Sequence, residues 1–362
     1  MTSQIAVVAG GSAGVGRATV DALLDRGYRV AVLARGKERL DEIAATHGDR
    51  VWTKTCNVAE DAQVQKTADE IVEHWGAPDV WVNCAMLTSF SPFDKVDEAE
   101  FRKITETTYF GQVNGTRAAL RVMSRGNIVN VGSGLSYRSV PYQAAYCGAK
   151  HAINGFTQAV RTEVVREGRP IEISLVQLPA INTPQFDWAR NRLDRKPQPA
   201  PPIFQPEVAA QAILKAIDED SREVLVGRSV LQLVFGNMLF PDLLDRQLAE
   251  MGVEAQKSEQ RDYGRDDNLD GPVDYPARAH GSFDHKAEES GITVDADRTR
   301  KAAVIGGAAL LMGLGTLIGR AMAGPSRDDT PRHVDMQDDR RPWGYDRAPL
   351  GSDAAPSTTY PM

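Results

Sequence analysis

Tyr146 and Lys150, in the run Tyr146-Cys147-Gly148-Ala149-Lys150, stand four residues apart. On a helix that spacing puts a phenol and an ammonium on one face, one turn apart. A phenol titrates near pH ~10 and is a poor proton donor or acceptor at neutral pH until its phenolate is favoured. At ~4 Å and an effective dielectric of ~20, two unit charges interact by about 4 kcal/mol, or roughly three pKa units. Such a pair would bring a tyrosine close to working pH. The spacing alone does not establish this, because tyrosine and lysine meet at that interval by chance on many helices.

A second set of residues speaks to anion binding. Gly10-Gly11-Ser12-Ala13-Gly14-Val15-Gly16 lies between the apolar run Ile5 to Ala9 and a helical pattern, Arg17 to Arg26, that stops at Gly27. Backbone without a Cβ turns tightly and lets a pyrophosphate approach a helix N-terminus, where free N–H groups and the dipole favour anions. Gly10, Ser12, Gly14, Val15 and Gly16 are therefore candidate phosphate contacts. Placed at a first strand-to-helix turn, the glycines point to a dinucleotide.

These groups need a scaffold. Up to about residue 230, short apolar runs near 4–9, 28–34, 50–56, 79–84, 127–132, 171–178 and 222–226 alternate with amphipathic stretches. That alternation predicts an α/β fold, a doubly wound parallel sheet of about seven strands in a domain spanning 1–250. Within it, 184–255 carries Pro184, Phe186, Trp188, a proline-rich run and the apolar Leu231 to Phe240, the texture of a substrate wall or lid. Residues 255–300 are rich in Asp, Glu, Arg and Gly and poor in large aliphatics, which predicts a polar linker with little fixed structure. Residues 324–362 read as a disordered tail.

Between them, Ala302 to Gly319 contains no charge over 18 residues. As a helix it would span ~27 Å, just under a ~30 Å hydrocarbon layer. The stretch 302–323 is read as an apolar helix. It suits a membrane anchor, a glycine-rich helix packed on the catalytic domain, or an interfacial helix. Basic residues flank both sides, so orientation is open.

Composition excludes several classes. The chain of 362 residues has a net charge of -7 and no long basic block, which argues against a nucleic-acid partner. Its three cysteines, Cys56, Cys84 and Cys147, form no C-x-x-C pair, and the six histidines form no metal-binding spacing, so no metal is expected. The N-terminus reads as a first strand rather than a signal peptide, so the catalytic domain is expected in the cytoplasm.

The glycine loop, Asn83-Cys84-Ala85, Ser133, Tyr146 with Lys150, and Pro179 followed by Thr183 resemble the short-chain dehydrogenase/reductase family in order and spacing. The resemblance covers roughly residues 4 to 240. It implies a Rossmann fold, a homo-oligomer, and an oxidoreductase that interconverts a carbonyl and an alcohol. In that reading Tyr146 donates and withdraws the substrate proton, Lys150 favours its phenolate and holds the nicotinamide ribose, and Ser133 stabilises the substrate oxygen.

Asn83, Thr183, Asn57 and Val58 join the glycine loop as implied cofactor contacts. The second strand ends in Ala34 followed by Arg35, not in the acidic residue of NAD-preferring members. A guanidinium there pairs with a 2′-phosphate, so NADP(H) is expected over NAD(H). The sequence also departs from the family. Thr108 stands where members usually have the asparagine of a proton relay, Met86 adds bulk beside the cofactor, and Pro179-Ala180 replaces Pro-Gly. These departures motivate an alternative: a catalytically decayed, cofactor-binding scaffold or sensor. A nucleotide-sugar epimerase is disfavoured by the glycine spacing. A small-molecule carbonyl or alcohol, hydrophobic in character, is the expected substrate.

Overall fold

The computed structural model describes residues 3–298 and 301. All of these fall in one contact unit, 1–306. Seven parallel strands form the sheet: β1 (Ile5–Ala9), β2 (Arg29–Ala34), β3 (Val51–Thr55), β4 (Val80–Asn83), β5 (Gly126–Ser133), β6 (Ile171–Leu178) and β7 (Glu223–Val226). An eighth, β8 (Thr293–Asp295), pairs antiparallel with β7, Val224 opposite Asp295 and Val226 opposite Thr293. The order across the sheet is β8-β7-β6-β5-β4-β1-β2-β3.

Strict alternation along these strands builds two cores. Ala6, Val8, Val30, Val32, Val80, Val82, Val129 and Val131 face one side, against helices α1 (Gly14–Asp25) and α8 (Pro206–Asp218), through side chains such as Leu23 and Ile213. Val7, Ala9, Ala31, Leu33, Trp81 and Ile128 face the other, against α3 (Asp61–Trp75), α5 (Gly111–Val122) and α6 (Ala144–Glu167). Strands covered on both faces read as continuous apolar runs, and that is why they were legible. Leu23 is fully buried, and its truncation to alanine would cost about 2–5 kcal/mol.

The remaining helices are α2 (Lys37–His47) after β2, α4 (Glu98–Thr105), the short α7 (Gln185–Trp188), and the pair α9 (Gly227–Leu239) and α10 (Pro241–Met251). All but α4 line a common cavity. A π turn, Glu106–Phe110, joins α4 to α5.

The expectation of a structureless linker over 255–300 is corrected. Lys257–Arg261 pairs antiparallel with Arg195–Pro197, Ala287–Glu288 pairs with Ile203–Phe204, and β8 extends the main sheet. Leu269 and Ala296 are buried. The segment needs no core of its own, because it lies on a finished surface and is held by hydrogen bonds and ion pairs. Aliphatic content does not register that kind of anchorage.

Among the described residues, no helix is long and apolar enough to cross a membrane. The expected apolar helix 302–323 and tail 324–362 lie outside the described residues.

Candidate active site

The sheet reverses direction of growth at β1, which has β2 on one side and β4 on the other. Ligands of such sheets bind at the carboxyl ends of the strands beside that point. Gly10, directly after β1, has φ +89°, and a Cβ there would lie 2.6 Å from the Ala85 backbone. A Cβ on Gly16 would lie 2.1 Å from the Gly10 carbonyl oxygen. Ala13 is the N-cap of α1 and offers no side-chain oxygen, so the helix start is free of a side-chain cap. This is a cradle shaped for an anion. Gly10, Ser12, Gly14, Val15 and Gly16 all line a cavity of about 670 Å³.

The same cavity is lined by Ser133, Tyr146 and Lys150. Ser133 ends β5 and caps the following turn, its Oγ accepting from the Leu135 N–H at 3.1 Å. Its own N–H donates to Gln177 Oε1 at 2.9 Å, which fixes the backbone. Tyr146 and Lys150 lie in the first two turns of α6, with Lys150 Nζ 5.6 Å from the Tyr146 ring centroid. Lys150 is 2% exposed and donates to the Val131 carbonyl at 2.6 Å.

Electrostatics depart from the simple pairing argument. Burial holds the Tyr146 phenol above its ordinary value, and a side-chain hydrogen bond with Ser133 offsets only part of this. Burial also pushes Lys150 down to about 8, Cys84 acting in the opposite sense. Desolvation disfavours both charged forms. The protein's own groups therefore leave the phenol neutral, and the expected lowering of Tyr146 by Lys150 is not what they produce.

Three of the expected site residues also make internal hydrogen bonds. Asn83 is 1% exposed and turns into the sheet, accepting from Trp81 Nε1 at 3.0 Å and donating to Asn130 Oδ1 at 2.8 Å and Thr116 Oγ1 at 3.2 Å. It ties β4, β5 and α5 together. Thr108 is fully buried, its hydroxyl accepting from the Leu87 N–H at 2.9 Å and donating to the Leu87 carbonyl at 3.0 Å. Both roles of that hydroxyl are filled, and its neighbour Thr107 lines the cavity instead. Asn57 folds its Oδ1 back onto the Ala59 N–H at 3.2 Å, while Val58 lines the cavity. Thr183 does so as well, against Gly14. Arg35 lines the cavity with its Nη2 donating to the Asn268 carbonyl at 2.6 Å.

Residues 4–193 match the family described as short chain dehydrogenase. The chain belongs to that family. As a short chain dehydrogenase it is an oxidoreductase that uses a nicotinamide cofactor and acts on carbonyl or alcohol groups. It is 29% identical over 277 residues to the uncharacterized oxidoreductase YxnA of Bacillus subtilis, covering 74% of this chain and 78% of the relative. It is 31% identical over 183 residues to the 3-oxoacyl-[acyl-carrier-protein] reductase of Bos taurus, covering 50% and 76%. Among solved structures, a short chain dehydrogenase from Burkholderia cenocepacia in complex with NADP superposes with a TM-score of 0.58 at 26% identity, covering 68% and 97%.

In this short chain dehydrogenase several cavity residues escaped the sequence reading. Arg39, one turn after Arg35, is 9% exposed with its guanidinium 5.1 Å from the centre of the Trp188 ring. The i,i+4 spacing of two arginines was a readable sign. Gln143 and Gln256, both on the cavity, meet at 2.6 Å, and Leu269, outside its lining, packs in a cluster with Leu87, Ile104, Ala145 and Tyr146. Gln256 and Leu269 belong to the segment expected to be a linker, so nothing marked them.

Proposed function

We propose that this chain is an NADP(H)-dependent oxidoreductase that interconverts a carbonyl and an alcohol by hydride transfer. The observation that carries the reading is the placement of Ser133, Tyr146, Lys150 and the glycine loop on one cavity. The residues fit the cofactor: the glycine loop lines the cavity at the uncapped start of α1, and Arg39 Nε and Asn268 Oδ1 are buried without partners among the described residues. When bound, the cofactor supplies the hydride and, when oxidised, a positively charged ring.

The chain's own groups do the rest. Neutral Tyr146 is in the state that donates a proton to a carbonyl during reduction. Ser133, on the same cavity as Tyr146, offers its hydroxyl to the developing oxyanion. Lys150 holds its ammonium between Val131 and the tyrosine ring, where it favours the phenolate once the proton has left. Gly10 to Gly16 hold the pyrophosphate, and Arg35 with Arg39 favours a 2′-phosphate. The bound NADP of the Burkholderia cenocepacia relative is in keeping with this preference.

Phe186, Trp188, Leu233, Leu244 and Leu248 give the cavity an apolar wall, which suits a hydrophobic carbonyl substrate. We take the active form to be a homo-oligomer, measurable by light scattering. The catalytic reading is tested with purified protein, NADPH or NADH, and a panel of ketones and aldehydes. Tyr146→Phe is expected to lower kcat by about 10²–10⁴-fold, the worth of a positioned acid. Unchanged turnover in that variant would overturn the assignment.

A further inference from the structure

We propose that residues 268–281 form a strap across the cofactor cleft, which must let go of one bank before a dinucleotide can enter or leave. The inference rests on the cofactor reading above and adds to it a gate supplied by the C-terminal extension.

The strap touches both banks. On the side of β2 and α2, Arg35 donates to the Asn268 carbonyl at 2.6 Å, and Arg39 Nη1 donates to the carbonyls of Val273 at 3.0 Å and Tyr275 at 3.3 Å. The Ala277 N–H donates to Glu42 Oε2 at 2.9 Å. On the side of α7, the Asn268 N–H donates to the Trp188 carbonyl at 2.9 Å, and the Tyr275 hydroxyl donates to Asp187 Oδ2 at 2.9 Å. The Tyr275 ring stands edge-on to Trp188, centroids 4.9 Å apart. The Gly281 N–H donates to the Asn182 carbonyl at 3.2 Å. Between the banks the strap passes over the glycine loop itself, where the Arg278 carbonyl accepts from the Gly14 N–H at 3.1 Å.

The two banks hold it unequally. Near its start, Asp267 and Asp270 are both bonded to Arg190, and near its end Asn182 is bonded to Asp284 and to the Phe283 N–H. Those anchors are all on the α7 side. On the other bank the strap meets Arg35 after β2, Arg39 and Glu42 on α2 and Gly14 of the glycine loop, with Ala277 packed against the core. No large apolar side chain of residues 271–281 is buried, so parting from that bank exposes groups that water can satisfy. A dinucleotide that spans from the glycine cradle to Tyr146 lies beneath this bridge. Asn268, whose Oδ1 is buried without a partner among the described residues, lines the cavity from the strap side.

A reversible lock tests the gate. A Cβ on Gly36 would lie 3.2 Å from Pro272 Cβ, close to the ~3.5–4.5 Å of a disulfide. Gly36 has φ -85°, which cysteine adopts freely. In Gly36→Cys/Pro272→Cys, NADPH association is followed by stopped-flow fluorescence before and after oxidation, with each single variant as a control for Cys84. Oxidation should slow association at least ~10-fold, slow release of preloaded NADPH similarly, and be reversed by dithiothreitol. Glu42→Ala should do the converse, raising both rates several-fold with a smaller change in Kd. Equal rates in locked and reduced protein, or failure of the two thiols to pair, overturns the strap. A reduced protein that binds neither NADPH nor NADH overturns the cofactor reading instead, whatever the disulfide does.

Discussion

Lys150 is an ammonium buried at a cost. Its folded-state value of about 8 lies below the ordinary 10.5, so between those two pH values the unfolded chain holds a proton that the folded chain has released. Stability contributed at this position therefore rises with pH across that window, by up to about 1.4 kcal/mol per pH unit. Compared with Lys150→Met in urea melts, the wild type should gain about 2–3 kcal/mol between pH 7 and 10. A difference that stays flat with pH would show that the ammonium is not desolvated. Tyr146, raised by burial, acts in the opposite sense only above pH 10, and both proteins carry it.

On the proposed reading, in which Arg35 pairs with a 2′-phosphate, Arg35→Ala should lower kcat/KM for NADPH about 10–100-fold, the worth of a charge-assisted bond, while changing NADH little. Equal losses with both cofactors would remove it from the 2′-phosphate subsite. At this scale the sequence was informative about placement where residues belong to a motif, as for Ser133, Tyr146 and Lys150, which share one cavity. It did not disclose the internal bonds of Asn83, Thr108 and Asn57, because an amide or hydroxyl serves equally well as ligand or as internal tie. Only the direction of the side chain separates the two.

Among the elements, the parallel strands were readable because both faces are largely covered and most of their residues are apolar. The order of strands follows from right-handed crossovers and the short connections. What stitches them is polar: Asn83 on β4 bonds to Asn130 on β5 and Thr116 on α5, and Asn130 Nδ2 reaches Thr157 on α6 at 3.0 Å. Asn83→Ala would strand the Trp81 indole N–H in a dry interior and remove one of the two donors to Asn130 Oδ1. A loss of about 2–4 kcal/mol is expected in denaturant melts, with NADPH affinity unchanged below the transition. A large loss of affinity with stability intact would instead make Asn83 a cofactor contact. The π turn Glu106–Phe110 was invisible to periodicity, since it interrupts the α pattern for one turn within a continuous helical run.

At the scale of the whole molecule, the chain extends the family core with a segment that pairs back onto it at three places, Arg195–Pro197, Ile203–Phe204 and β7. Composition marked that segment as unable to fold, and by itself it buries too little to do so. Its order derives from arginines, carbonyls and carboxylates already fixed by the core, as in Arg222 paired with Asp297 and Arg190 paired with Asp267. β8 is the part whose importance is easiest to overlook. Three residues long, it covers the outer edge of β7, whose Val224-Leu225-Val226 would otherwise offer open N–H and C=O groups along an apolar ribbon. Bare edges of that kind recruit other chains. A version trimmed to residue 262, which retains Tyr146, Lys150 and the glycine loop, should express largely as aggregate, whereas one ending at 301 should remain dispersed, as sedimentation of the two would report. The dispersal expected of the longer version would come from covering an edge, independent of anything the extension does to catalysis.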